Sequence, residues 1–87
     1  MRGRELVGWN VRRLRVEKAI SQERLAFDSG LDRSYVGGVE RGAENPSVDL
    51  LDKLAKTLDV HVAELFRPCE GEPSKGLQRG RKPSARD

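Results

Sequence analysis

The chain has 87 residues and a formal net charge of +3, and hydrophobic and charged residues each account for 36% of it. A chain of this length forms one small domain that buries only about 60% of its unfolded surface, so a partner subunit would add stability. No apolar run approaches the ~18 residues of a membrane span, and the single Cys69 cannot form an internal disulfide. These features argue against a membrane protein and favour a small helical protein of the reducing cytoplasm.

The charge is unevenly distributed along the chain. Residues 1–43 hold nine basic and six acidic side chains, residues 44–66 two and five, and residues 67–87 six and three. Such charges can simply form a solvated surface. Their polarisation also fits a protein that turns one part of its surface toward a polyanion. Composition alone leaves both interpretations open.

The first predicted helix runs from about Arg4 to Lys18. It carries a buried stripe at positions i, i+4 and i+7, formed by Val7, Val11 and Leu14. Trp9 and Val16 fall nearly opposite that stripe. We expect either that another helix covers them or that they form an exposed apolar patch, which could serve in a subunit contact.

Residues 21–41 contain two short helical patterns separated by a glycine turn. Ser21 and Asp32 stand at the N-cap positions, where a side-chain oxygen can accept a hydrogen bond from a free backbone N–H group. Gly30 is placed to end the first of the two helices, because glycine enters the left-handed region without a Cβ penalty. Two helices joined by a short turn containing glycine form a helix-turn-helix pattern.

Two further helices complete the predicted domain, which spans residues 1–67. Ser47 is expected to cap a fourth helix, and Asp59 stands at its end, where Asp tolerates the left-handed region. A last short helix, residues 61–66, closes the core. His61 falls at the expected cap of this helix, which favours a capping or surface role over catalysis. The predicted fold is therefore all-α, a compact bundle of five helices.

Residues 68–87 form a basic tail that cannot bury enough apolar surface to offset its ordering entropy, so we expect it to be disordered and flexible. Its Arg79-Gly80-Arg81 core resembles an AT-hook, which lays arginines into narrow A/T-rich minor grooves. In that motif proline follows the second arginine directly, whereas Lys82 intervenes here. A minor-groove arm, a nonspecific basic tail and a functionless end all remain open.

The region from about Leu6 to Phe66 resembles the Cro/C1-type (Xre family) helix-turn-helix repressors. The resemblance is carried by VRRLR at 11–15, SQERLA at 21–26, SYV at 34–36, VERG at 39–42, NPS at 45–47 and LAKTL at 54–58. Each motif is weak alone, but the set in this spacing is highly specific. The resemblance implies a lambda-repressor-like domain that binds double-stranded DNA as a homodimer, with its third helix in the major groove.

The resemblance also implies roles for individual residues. Arg33 and Ser34 open the third helix, whose first turn reaches base edges, and Gly38 occupies a position from which this family usually reads bases. Contacts to the DNA backbone would come from Gln22, Tyr35, Arg41 and Asn45. Arg15 and Glu40 match a family pair that ties the first helix to the third through a structural salt bridge.

One departure from the family pattern is the pair Gly37 and Gly38 in the middle of the third helix. Glycine offers the groove no hydrogen-bonding side chain, and each costs roughly 1 kcal/mol of helix stability relative to alanine. Either the helix approaches DNA unusually closely, or specificity depends on Arg33, Ser34 and DNA shape.

The sequence contains no constellation typical of an enzyme. His61 and Cys69 are the single residues of their types, which leaves no metal site, and the glycine pair lacks the Lys-Ser/Thr of a phosphate-binding loop. We therefore expect a transcriptional regulator, in the first place a repressor, with no cofactor and no membrane association. Alternatives are a bridging protein-interaction module with the same fold and, within the DNA-binding class, an antitoxin or a controller of a restriction–modification system.

Overall fold

The computed structural model describes residues 2–69, which form four α-helices and one short 3₁₀ helix, with no strand among them. In chain order these are α1 (Gly3–Glu17), α2 (Gln22–Ser29), α3 (Arg33–Glu40), α4 (Val48–Thr57) and the 3₁₀ helix (Val62–Phe66). The predicted all-α class is confirmed. No helix in this part of the chain is long and apolar enough to cross a membrane. The disorder predicted for the tail concerns residues that lie almost wholly outside the described ones.

The prediction of five α-helices is wrong in its last member, because residues 62–66 form a 3₁₀ helix. Five residues allow little more than one helical turn, and the tighter 3₁₀ form is used in such short pieces. Pro68 disfavours helical geometry at the residue before it, and Arg67 has an extended conformation with φ −64° and ψ 135°. His61 has the predicted capping role, since its Nδ1 accepts a hydrogen bond from the Ala63 N–H at 3.0 Å.

Two of the three predicted serine and aspartate caps are confirmed. Ser21 Oγ accepts from the Arg24 N–H at 2.9 Å, and Ser47 Oγ accepts from the Leu50 N–H at 3.1 Å. Asp32 occupies the N-cap position of α3, but its side chain forms no capping hydrogen bond, so this prediction is wrong. The Asp32 carboxylate is turned instead toward the Ser34 hydroxyl, which lies 3.4 Å from Oδ2.

The turns at the helix ends use the left-handed backbone region. Gly30 ends α2 with φ 70° and ψ 30°, as predicted, and Asp59 has φ 59° after α4. Ala19 has φ 58° after α1, a conformation that is uncommon for alanine and was not predicted. These turns allow consecutive helices to fold back on one another around a common core.

The core is built from apolar side chains of all four α-helices and the segment that follows them. Its buried members are Val7, Val11, Leu14, Leu25, Ala26, Val36, Val39, Leu51, Leu54, Ala55, Leu58 and Leu65. The whole predicted stripe of α1 is among them, whereas Val48 at the start of α4 is 70% exposed. The core therefore fixes α2 and α3 against α1 and leaves their outer faces at the surface.

A close approach of α1 to α3 depends on Gly8. A Cβ atom at this position would stand 2.3 Å from the carbonyl oxygen of Val39 and 2.7 Å from that of Glu40. Both atoms belong to the backbone at the end of α3, so no side-chain rotation could relieve such a contact. Only glycine allows the two helices to pack at this distance.

Asn10 is a fully buried polar residue that connects α1 to the end of the described chain. Its side-chain nitrogen lies 3.1 Å from the carbonyl oxygen of Leu65 and 2.9 Å from that of Arg67. Its side-chain oxygen accepts from the Arg13 guanidinium at 3.0 and 3.2 Å. These bonds satisfy the buried Asn10 side chain and give the backbone carbonyl of the buried Leu65 a donor.

The face of α1 opposite the core remains at the surface. Val16 is 53% exposed, while Trp9 is half-buried and has the Arg13 guanidinium 5.7 Å from its ring centroid. Two arrangements were predicted for these residues, coverage by another helix or exposure at the surface, and Val16 has the exposed one. A cation over the indole face covers part of the Trp9 ring.

Candidate nucleic-acid interface

The first turn of α3 presents two polar side chains to solvent. Arg33 is exposed, and within residues 2–69 its guanidinium forms no hydrogen bond or ion pair. Ser34 is also exposed, and its hydroxyl has only the long contact to Asp32 Oδ2 at 3.4 Å. Both side chains are thus available for an external ligand at the N-terminal end of the helix, where the helix dipole favours negative charge.

The arginines divide into paired and unpaired groups. Within the described residues, Arg2, Arg13, Arg15, Arg24 and Arg67 form salt bridges with carboxylates. Arg24 on α2 illustrates the first group, since the hydrogen bond that it donates to Asp28 and the negative charge of that carboxylate raise the pKa of the guanidinium. Arg33 and Arg41, which flank α3, belong to the unpaired group. Positive charge without an internal partner therefore stands at both ends of this helix.

Arg15 and Glu40 form a largely buried ion pair between α1 and the last residue of α3. Arg15 Nε lies 2.6 Å from Glu40 Oε2, and Nη2 lies 3.2 Å from Oε1. The side chains are 13% and 4% exposed. Arg15 also donates to the carbonyl oxygen of Ile20 at 2.9 Å, in the segment that leads into α2. The pair therefore holds α1, α2 and α3 in a fixed relative position.

Gln22 joins this network from the first residue of α2. Its Nε2 donates to Glu40 Oε1 at 3.0 Å, so one of its two amide hydrogens is used inside the protein. The second hydrogen stays available, as do the free backbone N–H groups of the first turn of α2. Gln22 thus links the start of α2 to the end of α3, a contact that was not predicted from the sequence.

Gly37 makes room for Gln22 and Arg41 to approach each other. A Cβ atom at Gly37 would stand 3.2 Å from Arg41 Nη1 and 3.8 Å from Gln22 Oε1. Arg41 Nη1 and Gln22 Oε1 therefore lie within 4 Å of one point over the glycine. Both residues are among those that the sequence assigned to contacts with a phosphate backbone.

Gly38 is buried rather than open to solvent, because the Glu44 side chain covers it. A Cβ atom at Gly38 would stand 2.8 Å from Glu44 Cγ and 3.0 Å from Oε2. Direct contact between Gly38 and a base would require Glu44 to move away. Glu44 was not among the residues predicted from the sequence. One feature of the sequence could have indicated this contact: an acidic residue stands in the loop after a helix whose centre has two adjacent glycines.

The remaining predicted residues occupy different environments. Tyr35 is half-buried and packs against the hydrophobic core, which anchors its ring. Asn45 is exposed in the loop before α4, and within the described part of the chain its side chain forms no hydrogen bond. Arg79, Arg81 and Lys82 lie outside the described residues.

Comparisons with known proteins identify relatives of this chain. The sequence model of the helix-turn-helix family matches residues 11–65. The HTH-type transcriptional regulator y4dJ of Sinorhizobium fredii is 43% identical over 70 residues, which cover 80% of this chain and 91% of the relative.

Two similar solved structures are of restriction-modification controller proteins. C.AhdI from Aeromonas hydrophila has a TM-score of 0.70 and 56% identity, covering 72% of this chain and 96% of that chain. The C.Esp1396I tetramer in complex with its natural 35 base-pair operator has a TM-score of 0.69 and 33% identity, covering 76% of this chain and 87% of that chain.

Proposed function

The chain belongs to the helix-turn-helix family of DNA-binding transcriptional regulators, and we propose that it binds its operator as a homodimer through α3. This family is not an enzyme class. In the proposed complex each α3 enters one major groove, with half-sites about one helical turn (~34 Å) apart. The protein acts in the cytoplasm, mainly as a repressor of transcription. The observation that carries the proposal is the exposed guanidinium of Arg33 on the first turn of α3, which has no partner within residues 2–69.

Base readout is assigned to Arg33 and Ser34. An arginine side chain can donate two parallel hydrogen bonds to O6 and N7 of guanine, which is worth about 1–3 kcal/mol of discrimination against the wrong base. A serine hydroxyl can donate or accept, so Ser34 adds contact with less base preference. Because Arg33 has no internal partner to give up, its binding to guanine breaks no bond within the described part of the protein.

Contacts to phosphates are assigned to the surface where Gln22 meets Arg41. The N-terminus of α2 offers free backbone N–H groups and a favourable dipole, and the Arg41 guanidinium beside it supplies a full charge. Asn45 and the Tyr35 hydroxyl complete the proposed set from the loop and from α3. Such contacts set the register of the protein on the duplex without reading its sequence.

The ion pair of Arg15 and Glu40 supports this assignment as a positioning element. Glu40 also accepts from Gln22, so one carboxylate fixes the proposed phosphate-binding end of α2 relative to α3. Base readout and phosphate contacts act together only if these two helices keep one geometry. A buried, bidentate pair supplies that rigidity better than exposed side chains could.

Within this family, we assign the chain to the controllers of restriction–modification systems rather than to antitoxins. The likeness to C.AhdI supports this choice, since 96% of that controller is covered at 56% identity. A reporter fused to the promoter of a restriction gene adjacent to the protein's own gene tests it. Expression of the protein should change reporter output, and the Arg33→Ala variant should abolish the change.

The experiment that tests the DNA-binding proposal is in vitro site selection with the full chain, followed by affinity measurements at two salt concentrations. A homodimer should select a palindrome, and its preference over random duplex should persist as salt weakens both complexes. Selection of no common sequence, with affinity that falls equally for all duplexes, would contradict the proposal and favour the bridging module.

A further inference from the structure

The space beside the two glycines of α3 is occupied by side chains of two residues that come after the helix in the chain. Arg41 lies over Gly37, and Glu44 lies over Gly38 with its Cγ, Oε2 and Cδ atoms 2.8, 3.0 and 3.3 Å from the position of a Cβ atom. A carboxylate from the loop therefore occupies the place that a side chain of residue 38 would take. The surface at the centre of α3 therefore presents a carboxylate, although this group belongs to the loop after the helix and not to α3 itself.

No side chain among residues 2–69 neutralises the Glu44 carboxylate. Glu44 is half-buried, and within residues 2–69 it forms no hydrogen bond or ion pair, although the unpaired Arg41 lies only three residues away. On the proposed DNA-binding surface, the phosphates would repel this negative charge, and affinity would fall unless the carboxylate met a hydrogen-bond donor. The amino groups on base edges are the donors that the major groove offers.

We propose that Glu44 is a specificity-determining residue whose carboxylate accepts a hydrogen bond from the N4 amino group of a cytosine in the major groove. This inference rests on the proposed function. Guanine presents two acceptors at this edge and thymine presents O4, so both repel a carboxylate. Adenine places its N7 acceptor beside the N6 donor. Cytosine alone offers a donor with no adjacent acceptor on its own edge.

Gly38 has the matching positioning role in this proposal. A methyl group there would stand within 3.3 Å of three atoms of Glu44, so the carboxylate would have to leave its position. Gly38→Ala should therefore affect base preference in the same way as loss of the carboxylate, although alanine brings no polar group. The double variant Gly38→Ala/Glu44→Ala should then lose no more base preference than either single variant.

The test is in vitro site selection with the wild-type protein and with Glu44→Gln, Glu44→Ala and Gly38→Ala. The wild type should prefer cytosine about tenfold at one symmetric position of each half-site. Glu44→Gln should shift that position toward adenine, since a glutamine amide pairs with N6 and N7 together. Glu44→Ala and Gly38→Ala should lose the preference while keeping the guanine assigned to Arg33.

Asp52→Asn is the matched control for charge, because Asp52 is an exposed carboxylate on α4. It should raise affinity for all duplexes slightly and leave base preference unchanged. If Glu44→Gln selects the same base as the wild type at every position, the inference is overturned while the Arg33-dependent guanine leaves the proposed function intact. If the wild type selects no common site, the proposed function fails as well. Thermal unfolding by circular dichroism confirms that each variant is folded.

Discussion

The Glu40 carboxylate at the end of α3 accepts from Arg15 on α1 through both oxygens, with Oε2 2.6 Å from Nε and Oε1 3.2 Å from Nη2. Oε1 also accepts from Gln22 at 3.0 Å. One buried carboxylate thus connects three helices. The position of α3 relative to α2, on which the proposed readout depends, is set by charge pairing as well as by apolar packing.

Glu40→Ala should lower the free energy of unfolding by about 3 kcal/mol, because it leaves the Arg15 guanidinium buried without its counterion. Glu17→Ala is the control, since Glu17 pairs with Arg13 at the surface at 3.4 Å and should cost less than about 1 kcal/mol. Urea unfolding followed by circular dichroism measures both. Equal small losses would show that the Arg15 pair has no special structural role.

Gly8→Ala should destabilise the protein by about 1–3 kcal/mol, because the added methyl group meets the backbone of α3 and separates the two helices. The gain of roughly 1 kcal/mol in helix propensity is too small to offset this. Gly3→Ala is the matched control, because nothing lies within 4 Å of a Cβ atom there. If the Gly8→Ala protein were as stable as the Gly3→Ala protein, the close approach of α1 to α3 at Gly8 would be refuted.

Asn10→Ala should cost about 1–3 kcal/mol, because it leaves the carbonyl oxygens of Leu65 and Arg67 without their buried donor. Hydrogen exchange should also become faster in the 3₁₀ helix than in α2. Asn45→Ala offers a contrast, since this exposed side chain should matter for DNA affinity and hardly for stability. The reverse pattern, with Asn45 stabilising and Asn10 neutral, would contradict these assignments.

Homodimerisation needs an apolar surface that two copies can share. Phe66 is 47% exposed at the end of the 3₁₀ helix, and within the described residues its ring has no aromatic or cationic partner. Val16 is 53% exposed, but the neighbouring Trp9 already stacks with Arg13. We expect Phe66→Asp to convert dimer to monomer in sedimentation velocity and Val16→Asp to leave the dimer intact. The opposite outcome would place the contact on α1.

Local features of the sequence predicted the helices and most of their ends. Ser21, Ser47 and Gly30 act through atoms within a few residues, so their cap and stop roles can be read from chain order alone. Asp32 shows the limit of this reasoning, since its carboxylate had an alternative partner in the Ser34 hydroxyl at 3.4 Å. The 3₁₀ geometry of residues 62–66 depends on the short length of that segment and on Pro68.

Features that depend on contacts across the fold could not be predicted in this way. Gly8 and Asn10 resemble ordinary residues within a helical pattern, and their importance follows from the backbone of α3 and from Leu65, which is 55 residues further along the chain. The position of Glu44 over Gly38 likewise depends on the path of a loop. The sequence located the candidate interface, and the tertiary contacts determine which groups it presents.

The assignment of Arg33 to base readout is tested most directly by a binding cycle on the selected operator. The wild type and Arg33→Ala are each measured on that operator and on a duplex with the assigned guanine replaced by adenine. The wild type should lose about tenfold in affinity on the altered duplex, and Arg33→Ala should bind both duplexes equally. Arg12→Ala, which removes from α1 an exposed cation that has no partner within residues 2–69, should keep the wild-type ratio. If Arg33→Ala kept that ratio as well, α3 would not read the operator through its first turn.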